Sequence, residues 1–421
     1  MLNRDYIIYN KQKQTDIFPY KTPHQNMKHH GKLPEIVKYV LPLAVSAGIA
    51  MVNLPTMATD TLKNNTVPYT VDIRTNSSQK LPVLQSVDLP KANINKSTLI
   101  DSQKNIKIPD KYSYDVLQEH LSCLKQLYPS MLEVLTIGKS VQERELYTIK
   151  IGNGPNKVLV VGASHAREVI STQGIMEFVD KFLATAAKPK GGSLYGNYNV
   201  KDIMNQTTLY IVPMLNPDGV EIVYKGLPSG HPLYAKYKAN PQTFKTRFKS
   251  NFNGVDLNRQ FPYKFEEYKK SAKNPKRPAS EDWCGTAPLS EPETAALADF
   301  TAELLPSVAL SVHCTGNVIF SMAMKTVPEI ESFGKKLATA GKLTLSYPSG
   351  NDMVGYVDWL GAEYKKYGIL PYTIELGKPG EPTPIPVSRL YGKSGIMDSL
   401  TPIIVTSLIY NTPLSPWNVK K

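Results

Sequence analysis

The stretch Val158-Leu-Val-Val-Gly-Ala-Ser-His165-Ala-Arg-Glu168 is an apolar run that ends in small residues and then carries two polar side chains. The apolar run predicts a buried β-strand, and the small residues predict a turn that presents His165 and Glu168 at the edge of a sheet. Imidazole and carboxylate are ordinary zinc ligands, so the His-x-x-Glu spacing is compatible with half of a zinc site. Because this spacing also occurs by chance in surface helices, further evidence from the chain is needed.

Two more apolar runs end in residues that bind metals or transfer protons. Residues 308–312 precede His313, and residues 370–374 precede Glu375. The alternation of apolar strands with helices predicts an α/β fold, with a mixed, mostly parallel central sheet and helices on both faces. Chemistry in such sheets gathers at the carboxyl ends of the strands. We therefore expect His165, His313 and Glu375 to lie close together.

Periodic patterns predict further elements on the N-terminal side of this sheet. Residues 113–128 have the apolar spacing of a helix, with Ser113 as its N-cap. Residues 132–137 and 146–151 alternate like the two strands of an edge hairpin. We expect His120, on the helix, to be a surface or boundary residue rather than a metal ligand.

The composition limits the class of protein. The chain has 421 residues, 41% of them apolar, and a formal charge of +13. This apolar content is sufficient for a large core. The charge favours anionic surroundings such as a cell wall or a membrane surface. Nucleic acid is not expected as a partner, since the chain has no dense basic block. Three scattered cysteines, Cys123, Cys284 and Cys314, are too few for a disulfide framework. We expect free thiols, with one bridge and one free thiol as the alternative.

The N-terminal region divides into segments of different character. Residues 1–38 are basic, with seven Lys or Arg against three Asp or Glu. Residues 39–59 carry no charge and follow the order of a signal peptide, with a retained membrane anchor as the alternative. Residues 60–110 are polar and aperiodic, which predicts a linker or stalk, with a pro-segment as the alternative. A catalytic domain is predicted over residues 111–412. Export is favoured, to a secreted or envelope-associated location.

A catalytic zinc requires three protein ligands and a carboxylate that accepts a proton from water. The strand-end positions predict His165, Glu168 and His313 as ligands of one Zn²⁺ per chain, and Glu375 as the general base. A ligand histidine usually donates its second ring proton to a carboxylate. Asp256, in the stretch Asn253-Gly-Val-Asp-Leu-Asn-Arg259, is a candidate for this orienting role.

These residues resemble those of the zinc carboxypeptidases with the pancreatic carboxypeptidase fold, over residues 112–410. The resemblance rests on His165 with Glu168, His313 and three ordered motifs: Gly254-Val-Asp-Leu-Asn-Arg259, Ser290-Glu-Pro-Glu-Thr294 and Ile374-Glu-Leu376. It implies that Asn258 and Arg259 bind the terminal carboxylate of the substrate. A guanidinium group and an amide suit that task. It also implies that Glu375 is the catalytic glutamate of a peptide hydrolase.

Two roles implied by the resemblance have two candidates each. The cation that polarises the scissile carbonyl is Lys249 or Arg247. Lys249 is favoured, because Phe248-Lys-Ser-Asn251 is similar to a pattern in bacterial relatives. Either side chain can stabilise an oxyanion. The mobile tyrosine that contacts substrate is Tyr347 or Tyr356.

The stretch His313-Cys-Thr-Gly-Asn-Val-Ile-Phe320 is similar to the His-x-x-Gly-x-x-Ile-aromatic pattern of bacterial murein peptidases. That resemblance implies cleavage of the γ-D-glutamyl–meso-diaminopimelate bond in cell-wall peptides. Arg259 implies a substrate with a free carboxylate, because some of these relatives have an aspartate there. The alternative is a general secreted carboxypeptidase that removes C-terminal L-amino acids. A binding module without activity is disfavoured, because ligands, base and carboxylate-binding pair are all present.

Overall fold

The central element is a nine-stranded sheet, seen in a computed structural model that describes residues 84–90, 106–348, 350 and 353–417. The predicted segments 1–38 and 39–59 lie outside the described residues. The described residues all belong to one compact unit. Within them, no helix is long and apolar enough to cross a membrane.

The described strands are β1 (Gln85–Ser86), β2 (Leu132–Lys139), β3 (Glu145–Ile151), β4 (Asn156–Gly162), β5 (Thr207–Val212), β6 (Val308–Cys314), β7 (Val318–Phe320), β8 (Thr344–Leu345) and β9 (Leu370–Leu376). The described α-helices are α1 (Tyr114–Leu127), α2 (Ile170–Ala186), α3 (Val200–Gln206), α4 (Pro217–Lys225), α5 (Tyr234–Ala239), α6 (Pro241–Arg247), α7 (Phe265–Lys270), α8 (Pro292–Leu304), α9 (Pro328–Gly341), α10 (Tyr356–Ala362), α11 (Tyr364–Tyr367) and α12 (Met397–Leu408). The described part of the chain also has three short 3₁₀ helices, which span Leu257–Arg259, Met322–Lys325 and Val387–Leu390.

The strand order is β1-β2-β3-β5-β4-β6-β9-β7-β8. The four central strands, from β5 to β9, are parallel to one another. Strands β1, β2 and β3 form an antiparallel flank, and β7 pairs antiparallel with β9 on the other side. The predicted mixed α/β sheet is therefore confirmed. Its parallel centre brings the carboxyl ends of β4, β6 and β9 to one edge.

Helices cover both faces of the sheet, as its continuous apolar strands require. In β4, Val158 and Val160 join a core cluster that includes α2 and α12, whereas Leu159 and Val161 join a second cluster that includes α8 and α10. Alternate side chains of one strand thus lie in opposite cores. Packing in both core clusters holds β4 in place, and it thereby also positions the turn that follows β4.

The helix predicted over residues 113–128 is α1, and its N-cap Ser113 accepts a hydrogen bond from the Val116 N–H at 3.3 Å. The predicted hairpin is β2 with β3. His120 is not a surface residue: it is only 9% exposed, and its Nδ1 lies 2.8 Å from the Tyr112 hydroxyl. The three cysteines are free, as expected.

The domain begins earlier in the chain than the predicted boundary at residue 111. Ile106 and Ile108 are buried in the core, and Asp180 accepts a hydrogen bond from the Ile106 N–H. Strand β1, which lies in the segment predicted as a linker, pairs with β2. The predicted hairpin of β2 and β3 therefore does not form the edge of the sheet. Apolar contacts and edge pairing of this kind have little local sequence signal, because the partner lies far away in the chain.

Candidate metal centre and active site

Three side chains converge at the carboxyl ends of β4 and β6. His165 Nδ1 lies 2.9 Å from one oxygen of Glu168, and His313 Nδ1 lies 3.0 Å from the other. The two Nδ1 atoms are 3.2 Å apart, and one donor atom from each residue falls within 4.8 Å of the others. All three residues are buried. Two facing imidazole nitrogens and a carboxylate form a donor set that suits Zn²⁺.

The outer nitrogens of both histidines have partners that fix the ring orientation. His165 Nε2 lies 3.2 Å from Asp256 Oδ1, and His313 Nε2 lies 3.0 Å from the Ser311 hydroxyl. Such contacts leave Nδ1 of each ring directed at the shared centre. The orienting contact predicted for Asp256 is present. Ser311 was missed, although its place two residues before His313 puts both side chains on the same face of β6.

The charges in the site favour an anionic carboxylate beside the histidines. Burial raises the pKa of Glu168, but His165 and His313 outweigh this effect and leave the pKa well below its ordinary value. Burial likewise opposes ionisation of Asp256, yet the neighbouring His165 holds its pKa far down. Two ionised carboxylates at this buried centre call for a compensating cation. Burial lowers the pKa of His165, but the charges of Glu168 and Asp256 outweigh burial and raise it to about 9, so a proton on His165 supplies that charge. A divalent metal bound between the two histidines would supply it in place of the proton.

Glu375 lies beside His313, because the two residues are paired in the parallel ladder of β6 and β9. Gly316 makes room for it: a Cβ at this glycine would lie 3.0 Å from the Glu375 Cβ. Glu375 Oε2 is buried and has no hydrogen-bond partner among the described residues. Burial and the charge of Glu168 raise the pKa of Glu375. A carboxylate with a free oxygen and a raised pKa suits a general base.

Of the two candidate cations, Lys249 is the one whose charge affects the pKa values of site residues, and its catalytic role stays a prediction. Burial and Glu168 raise the pKa of Glu375 on balance, and the charge of Lys249 opposes that rise. Burial lowers the pKa of His313, and the charge of Lys249 adds to that effect. The backbone of Lys249 is fixed, since its carbonyl accepts hydrogen bonds from the Ala166 N–H and the Asn216 amide. Arg247 instead donates to Glu281 through two nitrogens, at 3.0 and 2.6 Å, and its side chain is 65% exposed.

Arg167 is a further cation beside the site that sequence reasoning overlooked. Its charge also opposes the rise in the Glu375 pKa that burial and Glu168 cause, and its Nη1 donates to the Thr246 carbonyl at 2.8 Å. Its position in the sequence between His165 and Glu168 could have indicated that it lies in the same turn. Arg167 Nε is buried and has no hydrogen-bond partner in the described part of the chain.

The pair predicted to bind a carboxylate follows Asp256 directly in the chain. Asn258 and Arg259 lie in a short 3₁₀ helix, and Asp256 accepts a hydrogen bond from the Asn258 N–H at 3.0 Å. Arg259 Nε is buried without a partner among the described residues. Asn258 fits closely against Gly355, where a Cβ would lie 2.4 Å from its Oδ1. Asp256, which contacts His165, therefore also contacts the first residue of this pair.

The prediction that the Tyr356 side chain contacts substrate is wrong. The residue is 2% exposed, and its hydroxyl lies 2.8 Å from the Thr301 hydroxyl inside the second core cluster. Only its backbone N–H reaches the site, where it donates to Asn258 Oδ1. Tyr347 is 41% exposed and donates to Glu331 at 2.9 Å, so its role stays a prediction.

The sheet, the buried His-Glu-His centre and the adjacent free carboxylate define a metal-dependent hydrolase. The sequence profile of the zinc carboxypeptidase family matches residues 117–384. This span is more than half of the chain, so the protein belongs to that family. It is a zinc-dependent peptide hydrolase, and the residues present fit the metal.

Individual relatives agree with this assignment. The gamma-D-glutamyl-L-diamino acid endopeptidase 1 of Lysinibacillus sphaericus is 34% identical over 291 residues, 68% of this chain and 69% of the relative. Human carboxypeptidase B is 27% identical over 275 residues, 60% of this chain and 59% of the relative. The crystal structure of thrombin activatable fibrinolysis inhibitor matches with a TM-score of 0.54 at 21% sequence identity. The match covers 70% of this chain and 72% of the inhibitor chain. That likeness shows the shared fold.

Proposed function

We propose that the protein hydrolyses cell-wall peptides at the γ-D-glutamyl–meso-diaminopimelate bond and recognises a free carboxylate beside that bond. The observation that supports this most is the 34% identity to a γ-D-glutamyl-L-diamino acid endopeptidase across two thirds of both chains. Arg259 Nε, which is buried and has no hydrogen-bond partner in the described part of the chain, supports carboxylate recognition. A buried guanidinium nitrogen without an acceptor is costly, and a substrate carboxylate would satisfy it.

His165, Glu168 and His313 would hold the zinc ion, which supplies Lewis acidity that activates water and polarises a carbonyl. Glu375 accepts a proton from the attacking water on its free oxygen and then transfers it to the leaving amine. The Lys249 ammonium stabilises negative charge on the scissile carbonyl oxygen. Asn258 and Arg259 align the substrate through its carboxylate, so that the reacting groups meet in a fixed geometry.

We further propose that the protein works outside the cytoplasm, in contact with an anionic cell wall or membrane surface. The uncharged segment 39–59 and the formal charge of +13 support this location. Fractionation of cells that produce a C-terminally tagged chain tests it. Recovery with the cytoplasmic fraction would contradict the proposal.

Mass spectrometry of digests tests the substrate. Purified enzyme is given L-Ala-γ-D-Glu-meso-diaminopimelate and, in parallel, a panel of ordinary L-peptides, each with and without a chelator. Chelator-sensitive release of diaminopimelate is the expected result. Loss of ordinary C-terminal L-residues alone would instead identify a general secreted carboxypeptidase. The Arg259→Ala variant should raise KM on free-carboxylate substrates, and an unchanged KM would assign carboxylate recognition to other residues.

A further inference from the structure

A carboxylate lies against the guanidinium group that is predicted to bind the substrate carboxylate. Asp282 Oδ1 is 3.3 Å from Arg259 Nη2. The Asp282 side chain is 39% exposed, and that of Arg259 is 18% exposed. Asp282 is therefore the more accessible partner, and a ligand that reaches Arg259 also meets a negative charge.

The backbone of Asp282 is held in place by the rest of the site. Its N–H donates to Asp256 Oδ2 at 3.1 Å, and its carbonyl accepts from the Tyr268 hydroxyl at 2.9 Å. Its φ of 67° lies in the left-handed region, which costs energy for a residue other than glycine, although Asp tolerates it better than most. The Tyr268 ring also lies under the Arg259 guanidinium, at 5.4 Å.

An ordinary peptide places only its terminal carboxylate beside Arg259 and Asp282. That group would share Arg259 with Asp282, and the two negative charges would repel each other. A terminal diamino acid brings a second, positively charged amino group. In a γ-linked meso-diaminopimelate residue the free ammonium group is at the distal end of the side chain. It would pair with Asp282 while Arg259 pairs with a substrate carboxylate, so that Arg259 and Asp282 each have an opposite charge.

We propose that Asp282 is a specificity-determining residue that accepts hydrogen bonds from the second ammonium group of a terminal diamino acid. This inference rests on the proposed function and extends it from the bond that is cleaved to the side chain that is selected. Discrimination arises from repulsion of substrates without the ammonium group as well as from attraction of those that have it.

Two substrates that differ by one amino group test the inference. They are L-Ala-γ-D-Glu-meso-diaminopimelate and the same peptide ending in 2-aminopimelate, which lacks the distal amino group. We expect wild type to prefer the first by about tenfold or more in kcat/KM, and Asp282→Asn to reduce this preference to nearly one, mainly through KM. Asparagine keeps an oxygen for Arg259 but removes the negative charge.

Glu281→Gln is the matched control, because Glu281 pairs with Arg247 and should leave the preference unchanged. Zinc content and thermal midpoint check that both variants fold. An equal change in KM for both peptides in Asp282→Asn would overturn the inference and leave Asp282 a residue that only positions Arg259. Cleavage of neither peptide by wild type would instead reject the proposed function, and the inference with it.

Discussion

His165 and Asp256 are 91 residues apart in the chain, yet His165 Nε2 lies 3.2 Å from Asp256 Oδ1. The same buried carboxylate accepts hydrogen bonds from the backbone N–H groups of Asn258 and Asp282. One side chain therefore contacts the proposed metal ligand His165 and the backbone of two residues at the proposed carboxylate site. If these roles hold, zinc binding and substrate alignment both depend on Asp256.

Asp256→Ala should weaken zinc binding by about 10- to 100-fold, because the His165 ring loses the partner that fixes its orientation. His165→Ala and His313→Ala should lose stoichiometric zinc altogether. Zinc content after dialysis against a graded chelator series measures both effects. His231→Ala is the control, since His231 bonds to the Phe252 carbonyl instead. Retention of one zinc per chain in His165→Ala would contradict the ligand assignment.

Glu375→Gln should lower kcat by about 10²- to 10⁴-fold and leave zinc content unchanged, because the amide cannot accept the proton from water. The measurement is single-turnover cleavage of the peptide with zinc determined on the same sample. Glu266→Gln, an exposed substitution on α7, serves as the control. Wild-type activity in Glu375→Gln would assign the general base to another residue.

Lys249→Ala should lower kcat by about 10²-fold, the usual effect of removing one oxyanion donor. Arg247→Ala should change kcat by less than about threefold, since its guanidinium is exposed and paired with Glu281. Steady-state kinetics of the two variants, with Lys249→Arg as a test of charge alone, distinguish the candidates. The reverse order of effects would identify Arg247 as the oxyanion cation.

Glu293 makes stability depend on pH. It is fully buried, its Oε2 accepts from the Asn251 amide, and burial together with the Glu291 charge raises its pKa to about 8. The folded state therefore binds a proton that the unfolded state releases above its ordinary pKa of 4.5. The contribution to stability is complete below that value and is lost as pH rises through about 8.

Glu293→Gln should remove that loss, which we expect to be of the order of 3 kcal/mol between pH 5 and pH 9. Urea unfolding of wild type and variant at several pH values measures it. Glu267→Gln, on the exposed side of α7, should retain the wild-type slope. Parallel pH dependences in wild type and Glu293→Gln would show that Glu293 is ionised in the folded protein.

The sequence by itself predicted the sheet and the chemistry at its edge. Apolar runs that stop at His165, His313 and Glu375 are local patterns, and the parallel βα topology places such strand ends together. The orienting partner Asp256 was predicted from its motif. The placement of these residues is confirmed, because the periodicity of a strand depends on the residues themselves, whereas their chemical roles stay predictions.

The tertiary structure decided the features that depend on distant partners. Lys249 and Arg247 are two residues apart and equally cationic, and only the packing of residue 249 against the turn after β4 separates them. Tyr356 lies in the core because Thr301, 55 residues away, offers its hydroxyl a partner. The pairing of Asp282 with Arg259 likewise joins a loop to a short 3₁₀ helix. Such contacts arise from the folded packing of separate segments, which local patterning does not encode.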